Sequence, residues 1–181
     1  MVSNEQINVN KRNGRGLEAL NIDKIHSMVG FATEGITGVS ASHVEMNSGI
    51  QFFDKISTED IQQILIKSAN DLISLENPNY QYVAARLLLF SLRKKLFHRL
   101  WEHPKFLNHI KVCIEKGMYD EEILDNYTEA EIDRMGMWID HERDYNFTYA
   151  GLRQVMDKYL VQDRSNGEIF ETPQFMYMMI A

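Results

Sequence analysis

Cysteine is nearly absent from this 181-residue sequence. Cys113 is the only one, so no intrachain disulfide can form and no zinc site can be assembled from several thiolates. An excess of positive charge is also lacking, since 26 acidic residues outnumber 19 Lys and Arg and give a formal net charge of -7. A surface that follows nucleic-acid phosphates needs a basic face, so we expect no nucleic-acid partner. A local basic pocket is still compatible with this composition.

Long hydrophobic runs are missing as well. The first ten residues are polar, unlike a signal peptide, and apolar stretches such as residues 87–90 are far too short to cross a bilayer. We therefore expect no membrane partner and a cytoplasmic location. The final apolar run, residues 175–180, has no closing polar turn, and we interpret it as an interrupted element that docks on another chain or belongs to a fragment.

Strand signals occur at the beginning of the chain. Residues 7–10 alternate apolar and polar side chains, Asn13-Gly14 favours a tight turn, and residues 17–20 return, which together predict a β-hairpin. Residues 51–56 are rich in β-forming side chains and predict a short edge strand.

Helix signals fill most of the remaining sequence. Apolar residues at helical spacing predict a first helix that begins at Asn21 or Asp23 and ends at Gly35. A capping side chain or a proline marks the start of each further helix, at Ser40, Ser57, Pro78, Pro104 and Thr128. Near the end, residues 160–170 predict a second hairpin around Asn166-Gly167.

The first hairpin carries the strongest candidate site. Lys11 and Arg12 end one strand, and Glu18, Asn21 and Lys24 stand where the return strand meets a helix. Cationic side chains and a helix N-terminus can hold a triphosphate, while a carboxylate or an amide can recognise a base or a sugar hydroxyl. A solvated hairpin turn uses the same residue types, so spacing alone leaves both interpretations open.

Several segments resemble one known family. Residues 9–14, 21–25 and 56–61 are similar to the ATP-cone domain, and residues 77–87 resemble a helix in the large subunit of class I ribonucleotide reductases. The resemblance continues through residues 116–120, 141–144, 158–162 and 167–175. It implies a mainly α fold: an ATP-cone over residues 5–96, which is a four-helix bundle capped by a three-stranded sheet, and then an α-helical domain with a C-terminal β-hairpin over residues 97–181.

The resemblance also implies an effector, ATP or dATP with Mg²⁺, and a set of nucleotide-binding residues. These are Val9 beside the base, Lys11, Arg12, Lys24 and Lys94 on phosphates, Glu18 and Asn21 near base or sugar, Ile25, and Thr58 at the binding helix. Lys95 replaces Lys94 if the register slips, and a solvated helix end is the alternative for either. Two departures from the family pattern weaken the role assigned to Glu18 and the expected effector preference. The return strand is longer by a residue than in bacterial members, and Gln62 stands where those often have histidine.

Reduction in this family uses a cysteine thiyl radical and two further cysteines. Cys113, among apolar neighbours, predicts a buried structural thiol instead. We therefore expect a split or truncated subunit that is inactive alone and works with the catalytic barrel and the radical-generating small subunit, with a homo-oligomer also possible. The alternative is a stand-alone ATP-cone regulatory module without reductase activity.

Two weaker candidates lie in the second half. His98, His103 and His109 are not spaced for one helical face, so we interpret them as scattered surface histidines. Residues 140–144 are expected to cap a helix and pair charges rather than to form a zinc site.

Overall fold

The computed structural model describes residues 7–11, 16–49 and 52–181. It divides into two compact units, residues 1–91 with 148–150, and residues 92–147 with 151–181. Among the described residues, no helix has both the length and the apolar character that crossing a membrane requires. The domain boundary predicted at residue 96 stays a prediction.

The first unit combines a small sheet with a helical bundle, as the sequence predicted. Its elements are β1 (Asn8–Asn10), β2 (Leu17–Ala19), α1 (Ile22–Thr33), α2 (Ala41–Gly49), β3 (Ile56–Ser57), α3 (Thr58–Asp71) and the first turns of α4 (Tyr80–Phe97). Asn21 and Ser57 cap α1 and α3, because each side chain accepts a hydrogen bond from a backbone N–H in the first turn. Of the two capping residues that the sequence offered for α1, Asn21 and Asp23, the N-cap is therefore Asn21.

The sheet places β1 in the middle. β2 pairs with it antiparallel, with Val9 opposite Glu18, and β3 pairs with it parallel, with Val9 opposite Ile56. Val9 and Ile56 are both buried, which removes apolar surface from water and fixes the register of the strands. The predicted turn at Asn13-Gly14 lies outside the described residues.

The predicted edge strand is shorter than expected. Residues 51–56 were expected to be extended, but only Ile56 and Ser57 pair with a neighbour. Lys55 has a φ of 65°, a left-handed conformation that ends a ladder. Its N–H still donates to the Asn8 carbonyl at 2.7 Å, so the turn is held against β1. The β-propensity of residues 51–56 does not predict this turn, because the turn depends on contacts with β1.

The second unit is helical and contains the second hairpin. Its elements are the last turns of α4, α5 (Phe106–Glu115), α6 (Glu122–Asn126), α7 (Glu129–Gly136), a 3-10 helix (His141–Asn146), most of α8 (Tyr149–Lys158), β4 (Gln162–Asp163), β5 (Glu168–Ile169) and α9 (Pro173–Ile180). The predicted helix starts near Pro104 and at Thr128 and the predicted hairpin are confirmed.

An apolar cluster forms the core of this unit, with Phe106, Leu107, Ile110, Ile132 and Phe175 as its buried members. Phe175 comes from α9, so the apolar run at the end of the sequence is a helix that packs into this core. The outer side of the same helix keeps exposed apolar side chains at Tyr177 and Ile180.

Candidate functional site

The structure brings three of the predicted charged residues together. Nζ of Lys11 lies 2.7 Å from one carboxylate oxygen of Glu18, and Nζ of Lys24 lies 3.6 Å from the other. Both ammonium groups are well exposed to solvent, Lys24 the more so. Two cations thus flank one anion, which leaves an excess positive charge that a polyphosphate can contact.

Local structure explains this convergence. The β1–β2 pairing places Glu18 opposite Val9, one pair away from the end of β1, where Lys11 follows. Asn21 then turns the chain into α1: its Oδ1 accepts a hydrogen bond from the Lys24 N–H at 3.0 Å. Lys24 therefore lies in the first turn of a 12-residue helix, whose N-terminal dipole also favours an anion.

The two lysines lower the pKa of Glu18. A hydrogen bond from Lys11 is the largest cause that lowers the pKa of Glu18, and the charges of Lys11 and Lys24 add to it, while partial desolvation opposes them. Glu18 is therefore a carboxylate at neutral pH. Its two oxygens hold the two ammonium groups near each other.

Thr58 lies at the same end of the sheet. In the parallel β1–β3 pair Asn10 is opposite Ser57, so Lys11 and Thr58 each follow the last paired residue of their strand. Thr58 is the first residue of α3. A second helix N-terminus consequently points towards this edge of the sheet.

Two further predicted residues, Val9 and Ile25, are buried. Both belong to the core of the first unit, so they expose little surface for a base. Their roles as base contacts stay predictions. The structure describes them as core residues on β1 and α1.

Two assigned residues are not placed beside these. Arg12 lies outside the described residues. Lys94 lies near the end of α4, in the part of that helix that belongs to the second unit. The nucleotide contacts of both residues therefore stay predictions.

Side-chain hydrogen bonds that the sequence did not reveal stabilise the turn before β3. A carboxylate oxygen of Asp54 accepts hydrogen bonds from the Asn8 backbone N–H at 2.9 Å and from its side-chain amide at 3.3 Å. The Asn10 amide donates to the Lys55 carbonyl at 2.7 Å. These bonds tie the residues before β3 to β1, which positions the chain entering Thr58. The only sequence signal for these hydrogen bonds was the presence of Asp and Asn near a turn.

Gln62, the departure noted in the sequence, has a structural contact. Its side-chain amide donates to the Leu87 carbonyl at 3.0 Å inside the first unit, and its side chain is buried. This bond gives the buried Gln62 amide an acceptor and so avoids the cost of an unsatisfied buried donor. Gln62 thus joins α3 to α4.

The second unit contains a buried polar cluster that was missed. Arg93 is only 2% exposed and donates to the Tyr145 hydroxyl at 2.9 Å and the His141 carbonyl at 2.7 Å. The nearest contact between its guanidinium and Asp144 is 3.7 Å. Burial is the main cause that raises the pKa of Asp144 to about 6. The expected capping and charge pairing at residues 140–144 is confirmed, since Asp140 caps the 3-10 helix.

The histidine prediction was wrong in two cases. His109 is 4% exposed, and His103 is half-buried and stacks on His141 with ring centroids 3.7 Å apart. Only His98 of the three is exposed. The error arose because their helical spacing says nothing of partners from distant segments, here His141 and Phe175. Across the described residues, no group of three or more His, Cys, Asp or Glu side chains is arranged to hold a metal ion.

Cys113 is a structural thiol, as predicted. Its side chain is buried, and its sulfur lies 3.6 Å from Nε2 of His109 and donates to the Phe170 carbonyl at 3.8 Å. Burial and the nearby Glu171 carboxylate raise its pKa to about 11. A thiol that stays protonated at neutral pH is a poor nucleophile.

Comparison with known proteins gives two family matches. Residues 7–95 match the ATP cone domain, and residues 145–181 match the ribonucleotide reductase all-alpha domain. Together the matched segments include both the charged sheet edge and α9.

Whole-chain relatives agree with these matches. The chain is similar to the ribonucleoside-diphosphate reductase 1 subunit alpha of Salmonella typhimurium, with 48% identity over 98% of the chain and 23% of that protein. Subunit alpha of Enterobacteria phage T4 is 43% identical over 96% of the chain and 23% of its own length, and that of Helicobacter pylori 40% over 97% and 21%. The chain thus spans less than a quarter of the length of these relatives.

Proposed function

We propose that this chain, which is the ATP-cone-bearing N-terminal region of a ribonucleotide reductase large subunit, senses ATP and dATP at the charged edge of its first sheet. The observation that carries this proposal is the Lys11–Glu18–Lys24 arrangement, with distances of 2.7 and 3.6 Å, inside the segment that matches the ATP cone. Lys11 and Lys24 bind the phosphates, and Asn21 and Glu18 contact the sugar or base.

Electrostatics support a triphosphate at this edge. The site offers two exposed ammonium groups and the N-terminus of α1, while the chain as a whole is negative by seven charges. A locally positive edge on an acidic protein selects for a compact anion, because longer polyanions are repelled by the surrounding surface. Mg²⁺ is part of the proposal as the usual companion of the triphosphate, and it reduces the charge that the lysines must balance.

The wider role is also a proposal. We infer that nucleotide binding here regulates ribonucleotide reduction carried out with the catalytic barrel of the large subunit and the radical-generating small subunit. Reduction in this family uses three cysteines, whereas the sequence has only Cys113, which is buried, so the chain by itself is expected to be inactive. A stand-alone ATP-cone module that regulates through oligomerisation is the second candidate; it shares the nucleotide site but needs no reductase.

The direct test is isothermal titration of the chain with ATP and with dATP, each with magnesium. We expect saturable heat with both. Lys11→Ala should weaken binding roughly 10- to 100-fold, because a hydrogen bond to a charged group contributes about 1.5–3 kcal/mol. Lys24→Ala should weaken it in the same direction.

Lys67→Ala is the matched control. Lys67 is an exposed lysine of α3 that pairs with Asp71 on its own helix, so its removal changes the net charge equally without touching the sheet edge. We expect it to retain wild-type affinity. Absence of heat and of thermal stabilisation with either nucleotide at millimolar concentration would overturn the proposal, and an equal loss in the Lys67 and Lys11 variants would reduce it to non-specific charge attraction.

A further inference from the structure

Three imidazoles in the second unit lie near Phe175, and two of them contact its ring. Phe175 of α9 stacks on His109 of α5 at 4.2 Å between ring centroids and meets His141 of the 3-10 helix edge-on at 4.9 Å. His103 stacks on the other imidazole, His141, with the planes 8° apart. Phe97 of α4 contacts His103, His109 and Phe175 edge-on. We name these three histidines with Phe175 the imidazole cluster.

The charges that face this cluster come from every neighbouring element. From α4, the buried Arg93 donates to the His141 carbonyl. The 3-10 helix contributes Asp144, which accepts a hydrogen bond from Gln174 of α9 at 2.9 Å, and Asp140, an exposed residue that pairs with Arg143 at 3.7 Å.

On the α5 side, the facing groups are Cys113, Tyr119 and Glu171. The Tyr119 hydroxyl lies 3.4 Å from Nε2 of His109 and donates to Glu171, whose other oxygen accepts from the Val161 N–H at 2.7 Å. Lys116 lies farther out, over the Phe170 ring. Glu171 is thus already engaged by two donors and offers little compensation for a charged His109.

The environment of the stacked pair, His103 and His141, disfavours protonation of either ring. Within the described part of the chain, Nε2 of His103 and Nδ1 of His141 are buried and have no hydrogen-bond partner. A proton on either atom would place a charge in a poorly solvated site beside the Arg93 guanidinium. A second proton would set two imidazolium rings face to face at 3.7 Å.

We propose that the imidazole cluster is an acid-sensitive latch, in which proton uptake by His103, His109 and His141 detaches α9 and the 3-10 helix from α5 and unfolds the second unit. Two residues of α9 link it to the cluster: Phe175 stacks on its imidazoles, and Gln174 donates to the neighbouring Asp144. Loss of the cluster therefore removes part of the contacts that hold the helix, and the apolar core around Phe175 loses its packing with them.

The directions of the pKa shifts agree with this geometry. Burial is the first cause that lowers the pKa of His103 to about 3 and of His109 and His141 to about 4; the neighbouring imidazole and Arg93 act in the same direction on His103. A folded-state pKa below the unfolded value of 6.5 means that the stability is fully present above pH 6.5 and is lost as the pH falls towards 4. Each imidazole then raises the unfolding constant about tenfold per pH unit.

Two buried carboxyl groups act in the opposite direction. The pKa of Asp144 is raised to about 6 and that of Glu171 is also raised, both chiefly by burial. Their folded forms take up protons as the pH falls, and each offsets at most about one tenfold step per pH unit. Three imidazoles outweigh two carboxyls, so acid unfolding prevails.

Urea unfolding at a series of pH values tests the latch. The sequence has two tryptophans, Trp101 and Trp138, and both belong to the second unit, so their fluorescence reports on that unit. We expect the unfolding constant to rise at least about tenfold per pH unit between pH 6 and pH 5. Hydrogen exchange should show that α9 amides lose protection over the same range.

Phenylalanine variants isolate the cause. His103→Phe and His141→Phe keep an aromatic ring in the stack and remove a titrating group, and each should lower the pH slope by up to about tenfold per unit. His98→Gln, which removes an exposed imidazole outside the cluster, should keep the wild-type slope. An unchanged slope in both phenylalanine variants would overturn the latch.

Proton NMR of the wild-type chain decides the matter should a variant fail to fold. The ring resonances of His103, His109 and His141 are expected to remain those of neutral imidazole down to about pH 5 while the native spectrum persists. Titration of these rings around pH 6.5 in the native protein would contradict the proposal.

Discussion

Arg93 shows how much one buried residue can determine at the smallest scale. The sequence places it in a run of three basic residues, yet its guanidinium is enclosed by Tyr145, the His141 carbonyl and Asp144. Removing a single partner from a buried charged group leaves the other groups without solvation. The contribution of Arg93 to the second unit is therefore large, although its sequence context is that of a surface.

Arg93→Met should destabilise the second unit by about 3–5 kcal/mol, the cost of leaving a buried charge unpaired. Urea unfolding followed by tryptophan fluorescence at pH 7 measures the change. Arg99→Met is the matched control, because Arg99 is exposed and pairs with Glu102 on the surface; its effect should stay within about 0.5 kcal/mol. Equal effects of the two substitutions would show that the buried contacts do not stabilise this unit.

Residue-level prediction from the sequence succeeded where contacts are local. Lys11, Glu18 and Lys24 are joined by a short hairpin and one helix cap, so residue spacing alone brings them to one edge. It failed for His109 and Arg93, whose burial depends on segments tens of residues away, at Phe175 and at Tyr145. No periodicity within a helix reports on such partners.

Helix caps give the clearest test at the scale of elements. Thr128 and Glu131 form a reciprocal capping box at the start of α7: the Thr128 side chain accepts from the Glu131 N–H, and the Glu131 side chain accepts from the Thr128 N–H at 2.9 Å. These bonds lower the pKa of Glu131, with the Thr128 hydroxyl as the main cause. The box is therefore fully formed at neutral pH and is lost as acid protonates Glu131.

Thr128→Ala should cost about 1 kcal/mol of stability, since the first-turn N–H loses its acceptor. Thr128→Ser, which keeps a hydroxyl acceptor, should cost much less. Thermal or urea unfolding of the second unit at pH 7 measures both. A wild-type stability for Thr128→Ala would refute the role of the cap.

Element boundaries were predictable where a side chain or a glycine marks them. Asn21, Ser57 and Thr128 begin helices as capping residues, and the left-handed Gly117 follows the end of α5. The edge strand expected at residues 51–56 pairs only at Ile56 among its described residues, because its β-forming side chains precede a turn at Lys55 that tertiary hydrogen bonds stabilise. Propensity describes an isolated segment, whereas the Asn8 contacts come from β1.

At the scale of the whole molecule, the two units have different cores and different titrating groups. The proposed nucleotide edge lies on β1, β2 and α1 in the first unit, and the apolar cluster around Phe175 lies in the second. A ligand that binds only folded protein stabilises the region that must be folded to form the site. Nucleotide binding should consequently protect the first unit more than the second.

The expected protection can be stated in advance. At a free ATP concentration about 100 times the dissociation constant, the first unit gains about 2.7 kcal/mol, and slow amides of α1 and α3 should exchange roughly 100-fold more slowly. Amides of α5 and α7 should change by much less. Hydrogen exchange with mass spectrometry, with and without ATP and magnesium, measures both units in one sample.

Lys11→Ala separates a specific effect from a general one in this experiment. The variant keeps both cores, so at the same nucleotide concentration the protection of α1 and α3 should fall with its weaker binding, from roughly 100-fold to about 2- to 10-fold. Equal protection of α1 and α5 in the wild-type chain would contradict the placement of the nucleotide site on the first unit. Protection confined to the first unit would instead make the sheet edge the principal source of affinity.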